Sequence, residues 1–318
     1  MTAKQSISRI QRVFKINSIY ARGLFEIADK ENLINSITEI INNKPKPFVK
    51  WVGGKRQLLE QFRLLNLYPP DDFDPISGKY FEPFVGGGAV FFDLLPKKAY
   101  LSDLNKELVI TYNVIKNNVE ELIINLKRHK TDKEYFLRIR SQDPLKLDDI
   151  RVASRFIFLN RTCFNGMYRV NKAGLFNVPF GRYTNPCICD AENLRKVSKA
   201  LRGVEIKNRD YKEVFKKTEK GDFVYFDPPY YPLSRTASFT SYTTNEFLEK
   251  EQIELRNTFV ELHQRGCFVM LSNSDTPFIN KIYKGIKGVK ISKIKAGRAI
   301  NSDASKRGKI TEVLITNY

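Results

Sequence analysis

The chain has 318 residues, 42% of them hydrophobic, with 54 Lys+Arg against 35 Asp+Glu and a formal charge of +19. This apolar content excludes a disordered polyelectrolyte, and the length suffices for one large domain or two modest ones around a buried core. No apolar run approaches the roughly 18 residues of a membrane span, and no apolar signal core follows Met1–Ser6. Cys163, Cys187, Cys189 and Cys267 make no CxxC pair, so the expectation is a cytoplasmic protein with free thiols and no metal site.

The charge points to a polyanionic partner, although a solvated basic surface is the bland alternative. Lys281–Lys309 holds ten Lys/Arg and one acid, Asp303, and such a run could track a phosphate backbone.

In chain order, residues 1–47 form an appendage. Leu33, Ile34, Ile37, Ile40 and Ile41 recur at helical spacing until Pro45 and Pro47 stop the helix. The pattern assigns it no chemistry beyond that of a packing or partner helix, and its role stays open. From Phe48 the pattern becomes α/β. Lys50-Trp51-Val52-Gly53-Gly54-Lys55 is either a loop beside a core tryptophan or one wall of a ligand pocket. In the second case Trp51 packs on the ligand and Lys55 places charge nearby.

A short strand is predicted over Lys79–Phe84. It leads into Glu82-Pro83-Phe84-Val85-Gly86-Gly87-Gly88. Glycines directly after a strand let the backbone turn sharply and approach a ligand, and the next helix offers free N–H groups. A second strand, Ala99–Ser102, ends at Asp103, where an acid can accept both ribose hydroxyls of a nucleoside. The pattern is neither a full dinucleotide fingerprint nor a P-loop.

One long helix is predicted from Glu107 to Lys130 and another near 149–162. Two short runs around Asn171-Lys172-Ala173-Gly174 then read as a basic, aromatic β-hairpin. Its Arg169, with Arg182 beyond, could reach base edges or phosphates. Phe164 and Met167 could pack on thymine methyls or fill a gap in the base stack.

Alternation resumes with strands Gly203–Ile206 and Phe223–Phe226, the latter solidly apolar as befits a strand buried on both faces. Helix 245–264, strand Cys267–Leu271 and a helix near 276–284 follow. Two final strands, Val289–Lys295 and Ile310–Thr316, are joined by a Gly/Ser/Lys-rich loop.

Asp227-Pro228-Pro229-Tyr230 sits at the tip of strand 223–226. Two prolines stiffen the backbone and hold the Pro228 carbonyl beside the Asp227 carboxylate. Two adjacent acceptors match one NH₂ group, and Tyr230 offers a face for a flat base. Pulling on both protons of a ring amine frees its lone pair for attack. A proline-punctuated turn is the structural alternative.

In this order the motifs resemble the Dam family of DNA adenine methyltransferases, especially the methylases of GATC restriction–modification systems. The likeness runs from Phe48 to Tyr318. It includes Lys50–Lys55, Phe84–Gly88, Phe164-Asn165-Gly166, Phe176–Tyr183, Asp227–Tyr230 and Phe239-Thr240-Ser241-Tyr242. The resemblance implies a Rossmann-like sheet dependent on S-adenosylmethionine, with an antiparallel final hairpin. It divides the catalytic domain into 48–105 and 190–318 around an inserted, mainly helical target-recognition domain, 106–189, carrying the β-hairpin. Trp51, Lys55, Phe84, Gly86, Gly88, Asp103 and Asp227 would line the cofactor, and Asp210 would approach its adenine ring. Phe164, Asn165, Met167 and Arg169 would read double-stranded DNA. A cognate restriction endonuclease could act in the same system without direct contact.

Two rivals stand beside this reading. One is a methyltransferase for cytosine, RNA or a protein glutamine, which Asp227 disfavours. The other is a silent DNA-binding module, which the intact Asp103, Asp227 and glycine run disfavour.

Overall fold

The computed structural model describes residues 44–233, 247–297 and 309–318. The helical stripe of residues 33–41, the Phe239–Tyr242 signature and the loop joining the last two strands lie outside the described residues.

Seven strands form one sheet: β1 Lys79–Glu82, β2 Lys98–Asp103, β3 Glu205–Asn208, β4 Phe223–Phe226, β5 Phe268–Ser274, β6 Lys290–Gly297 and β7 Lys309–Thr316. Their spatial order is β3-β2-β1-β4-β5-β7-β6. The first five run parallel, whereas β7 pairs antiparallel with both β5 and β6. The expected Rossmann-like methyltransferase sheet with its antiparallel end is present. The chain runs outward from β1 to β3, returns to β4 beside β1, and then fills the other edge. The topological switch point therefore lies between β1 and β4, and ligands of open α/β sheets bind outside the strand carboxyl ends at such a point.

Alternating side chains supply two cores. Tyr80, Phe223, Tyr225, Met270 and Leu314 join one buried layer, while Phe81, Val224, Phe226, Val269, Leu271, Val313 and Ile315 join the other. A period of two puts successive side chains on opposite faces. The first layer is covered by α1 (Leu59–Leu64), α2 (Ala89–Leu94), α3 (Lys106–Asn117), α4 (Val119–Leu126), α6 (Asp149–Thr162) and α7 (Ala191–Ala200). The second is covered by α8 (Glu249–Gln264) and α9 (Pro277–Tyr283). Among the described residues, no helix is long and apolar enough to cross a membrane.

The helix predicted over Glu107–Lys130 is two helices. The chain breaks at Asn118, with φ −134° and ψ 39°, which ends α3 and starts α4. Asparagine competes for backbone hydrogen bonds and so favours such boundaries. A helix unseen in the hydrophobic pattern, α5 (Lys133–Arg140), starts at Asp132, whose side chain accepts from Tyr135 N. Phe136 and Ile139 of α5, Phe158 and Leu159 of α6, and Phe176 and Val178 make a third, small core.

The predicted hairpin is a tight reversal without a ladder. Its arms share one bridge, Val170–Phe176. Asn171 N donates to Leu175 O, and the Asn171 side chain takes the N–H groups of Ala173 and Leu175. That local capture of backbone donors, on very short arms, displaces regular pairing.

Candidate active site

The site forms where β1, β2 and β4 end. After β1 the backbone turns through Gly86 (φ 46°) and Gly88 (φ 68°). A Cβ on Gly86 would lie 2.5 Å from Trp51 Nε1, and one on Gly88 would lie 2.6 Å from Tyr112 Oη, so both positions need glycine. Gly86 N donates to Asp103 Oδ2 at 3.1 Å, and Tyr112 Oη donates to Gly86 O at 3.0 Å. Asp103 Oδ1 accepts from Asn105 N at 2.9 Å, and Asn105 caps α3. The Asp103 carboxylate thus ties β2 to the glycine turn. Each of its oxygens keeps lone-pair capacity for a hydroxyl donor. Burial raises its pKa against these hydrogen bonds.

Residues 50–55 cross the same mouth. Trp51 lies against Gly86, and Lys55 is 3% exposed and meets the Asp227 carboxylate at 2.8 Å. Asp227 follows β4 directly and is 21% exposed. Desolvation raises its pKa above the usual aspartate value, and the Lys55 charge pulls it back down.

Pro228 to Tyr231 are held from below. Pro229 O accepts from Gln252 Nε2 at 3.0 Å, and Gln252 Oε1 accepts from Asn273 Nδ2 at 2.9 Å. Asn273 Oδ1 accepts from Tyr231 N at 3.1 Å, and Ser274 Oγ donates to Tyr231 O at 2.7 Å. Tyr230 Oη donates to Glu312 Oε2 at 2.8 Å, and the Lys55 ammonium lies 4.9 Å from the Tyr230 ring centroid.

Phe84 stacks on Tyr211 at 5.3 Å and meets Phe247 edge-on at 5.9 Å. Asp210 caps the short 3-10 helix Tyr211–Lys216 and accepts from Lys212 N. These form an aromatic and acidic flank on the β3 side of Asp103.

The basic residues form a second group. Phe164, 45% exposed, and Asn165, at φ 55°, form a short turn after α6. Phe164 N donates to Pro179 O and Gly181 N to Thr162 O, which clamps the two halves of the segment together. Arg169 and Arg182 are exposed, and Arg169 Nε donates to Asn177 Oδ1 at 2.7 Å. The two groups meet where Tyr168 stacks on Trp51 and where Lys50 pairs with the Asn160 side chain and lies over the Tyr183 ring.

A sequence model of the D12 class N6 adenine-specific DNA methyltransferases matches residues 51–300. The chain is 44% identical over 281 residues to a type II methyltransferase of Lactococcus lactis subsp. cremoris, covering 86% of this chain and 95% of that protein. It is 44% identical over 291 residues to a type II methyltransferase of Methanocaldococcus jannaschii, covering 86% and 99%. It is 33% identical over 275 residues to the DNA adenine methylase of Escherichia coli (strain K12), covering 85% and 95%.

The chain belongs to the D12 class of N6 adenine-specific DNA methyltransferases. It is an enzyme that acts on DNA, and the Dam resemblance of its motifs holds.

Two carboxyl groups at the site of this methyltransferase were not singled out by sequence reasoning. Glu82, 2% exposed at the end of β1, accepts from Tyr80 Oη at 2.9 Å and from Phe91 N at 3.2 Å. Desolvation pushes its pKa up to about 8, with the Asp227 charge adding to the rise. Glu312 comes from β7, far along the chain from Tyr230. An acid at a strand tip was a usable signal for Glu82. No local pattern marks Glu312.

Proposed function

We propose that this methyltransferase moves a methyl group from S-adenosylmethionine to the 6-amino group of an adenine flipped out of double-stranded DNA, within GATC sites in the cytoplasm. The observation that carries this reading is the pairing, at the switch point, of a lysine-held Asp227 carboxylate with a glutamate-held Tyr230 ring beside a glycine turn.

The residues present fit the cofactor. Gly86 has no Cβ under Trp51, and Asp103 stands at the end of β2 with acceptor capacity to spare. Trp51, Phe84, Gly86, Gly88 and Asp103 would hold it, with Lys55 and Asp227 at its reactive end and Asp210 toward its base. Bound there, S-adenosylmethionine supplies an electrophilic sulfonium methyl group.

The chain's own residues do the rest. Tyr230 stacks against the extruded base. Asp227 and the Pro228 carbonyl accept hydrogen bonds from the two N–H groups of the amine and turn its lone pair outward. The amine gains positive charge as it reacts, and Asp227 stabilises that charge as it develops. Pro228 and Pro229 fix the backbone so that little reorganisation accompanies the step.

Residues 106–189 form the recognition insertion within the catalytic domain of 48–105 and 190–318. Phe164, Asn165, Met167 and Arg169 contact the site, Arg182 contacts base or phosphate, and surface lysines follow the backbone. The GATC assignment rests on the likeness of the 164–183 segment to GATC methylases. A companion endonuclease that cuts unmethylated sites, without touching this chain, completes the reading.

Base flipping costs a few kcal/mol, least for a mispaired base. The enzyme is therefore expected to bind a duplex with a mispaired target adenine roughly tenfold or more tightly than the matched duplex. Equal affinities would contradict flipping.

A further inference from the structure

Trp51 is wedged between two parts of the molecule. On one side its indole lies against Gly86 so closely that a Cβ there would overlap Nε1 at 2.5 Å. On the other side Tyr168 stacks on it, with ring centroids 6.2 Å apart and planes 20° from parallel. Tyr168 stands between Met167 and Arg169 in the segment proposed to read DNA.

The Tyr168 ring is anchored below. Its hydroxyl donates to Glu107 Oε1 at 3.0 Å, and Glu107 pairs with the buried Arg155 at 2.8 Å. Arg155 also donates to Ile139 O and Arg140 O, so the anchor joins α3, α5 and α6. A second link runs in parallel: the Lys50 backbone pairs with the Asn160 side chain, and the Lys50 side chain lies against Gly166 and Tyr183. The loop that bears Lys55, partner of Asp227, is thus gripped by the recognition segment at two points. Any shift of residues 167–169 on a DNA site bears on Trp51 through the Tyr168 ring, because close-packed groups cannot absorb the change separately.

We propose that Tyr168 is a positioning residue that carries target recognition to Trp51 and the 50–55 loop, so that the correct site is expressed in turnover and not only in binding. The inference rests on the assignment of Trp51 to the cofactor and of 164–169 to DNA. Tyr168 touches no substrate. It sets the seat of the tryptophan that does.

The chain has one tryptophan, so intrinsic indole fluorescence reports Trp51 alone. The experiment uses the full chain with S-adenosylhomocysteine. It is titrated with the duplex the native chain methylates and with a duplex altered at one base pair of that site. Binding is followed separately by anisotropy of a labelled duplex. The cognate duplex is expected to change Trp51 emission more than the altered one.

In Tyr168→Leu both duplexes should still bind, and their emission changes should become equal. The ratio of kcat between cognate and altered sites should fall on the order of tenfold, with KM for DNA nearly unchanged. Tyr168→Phe keeps the stack and should retain the native ratio. A native ratio and a native emission difference in Tyr168→Leu would overturn the proposal. So would a Tyr168→Phe variant as indiscriminate as Tyr168→Leu, which would leave no part for the stack. A native chain that methylates no adenine in DNA would overturn the functional reading itself, a different result from either.

Discussion

Lys55 and Asp227 form a 2.8 Å ion pair across 172 positions of sequence, with the lysine almost wholly buried. This pair holds the acid after β4 against the loop that crosses the glycine turn. A buried ammonium left without its partner is costly, and so is the carboxylate. The pair also sets protonation, since the Lys55 charge lowers an Asp227 pKa that burial raises. Lys55→Met should therefore move the acid limb of the kcat–pH profile to higher pH. At neutral pH it should cost roughly 10²-fold in kcat, the scale for losing a preorganised charge. The pH profile of single-turnover methylation checks this. An acid limb that stays in place would mean that Lys55 does not control Asp227.

Tyr230 separates two roles within one side chain. Its ring is proposed to stack on the target base, and its hydroxyl donates to Glu312. Stacking of a base on an aromatic ring is worth roughly 1–3 kcal/mol by alanine substitution. Tyr230→Ala should lower kcat/KM by roughly 10- to 100-fold. Tyr230→Phe should lose only the hydrogen bond and fall by roughly tenfold or less. Equal losses in both variants would shift the role from the ring to the hydroxyl and Glu312.

Glu82 predicts a pH dependence of folding. Its folded pKa of about 8 exceeds the ordinary 4.5. The native state therefore holds a proton that the unfolded chain releases. The stability linked to Glu82 is fully present below about pH 4.5 and is lost as the pH rises toward 8. Glu82→Gln cannot titrate. Between pH 5 and 8, urea unfolding should show the native chain losing ground to this variant, by at most about 1.4 kcal/mol per pH unit. A constant difference would mean that Glu82 is ionised in the fold.

Arg169 is exposed and aimed by Asn177. If it reads a base edge, Arg169→Ala should cost roughly 1–3 kcal/mol at the native site and relax discrimination at one base pair. Competition binding with single-base-pair substitutions distinguishes the cases. A uniform loss over all sequences would reassign Arg169 to a phosphate.

Much of this was legible in the chain because local chemistry and global packing agree. Phe223–Phe226 is uniformly apolar and lies buried on both faces, so strand and boundary coincide with the reading. Glycines after β1 and the proline pair after β4 marked their strand tips for the same reason. Three features escaped. Strand β5 runs on to Ser274, beyond the predicted end at Leu271, because Ser272, Asn273 and Ser274 are buried yet polar. They bond to Tyr225, Gln252 and Tyr231, a pattern that hydropathy cannot reveal. The break at Asn118 lies inside an unbroken apolar period. Contacts such as Tyr230–Glu312 and Trp51–Tyr168 join segments remote in sequence, and only the folded sheet and the segments packed on it bring them together.

The most direct test of the central claim is to incubate the native chain and Asp227→Ala with S-adenosylmethionine and unmethylated genomic DNA, then map methyladenine by single-molecule sequencing. The account predicts N6-methyladenine confined to GATC with the native chain and none with Asp227→Ala, which should still bind DNA. Methylation by Asp227→Ala would contradict the mechanism, and methyladenine at a different motif would contradict the assigned site.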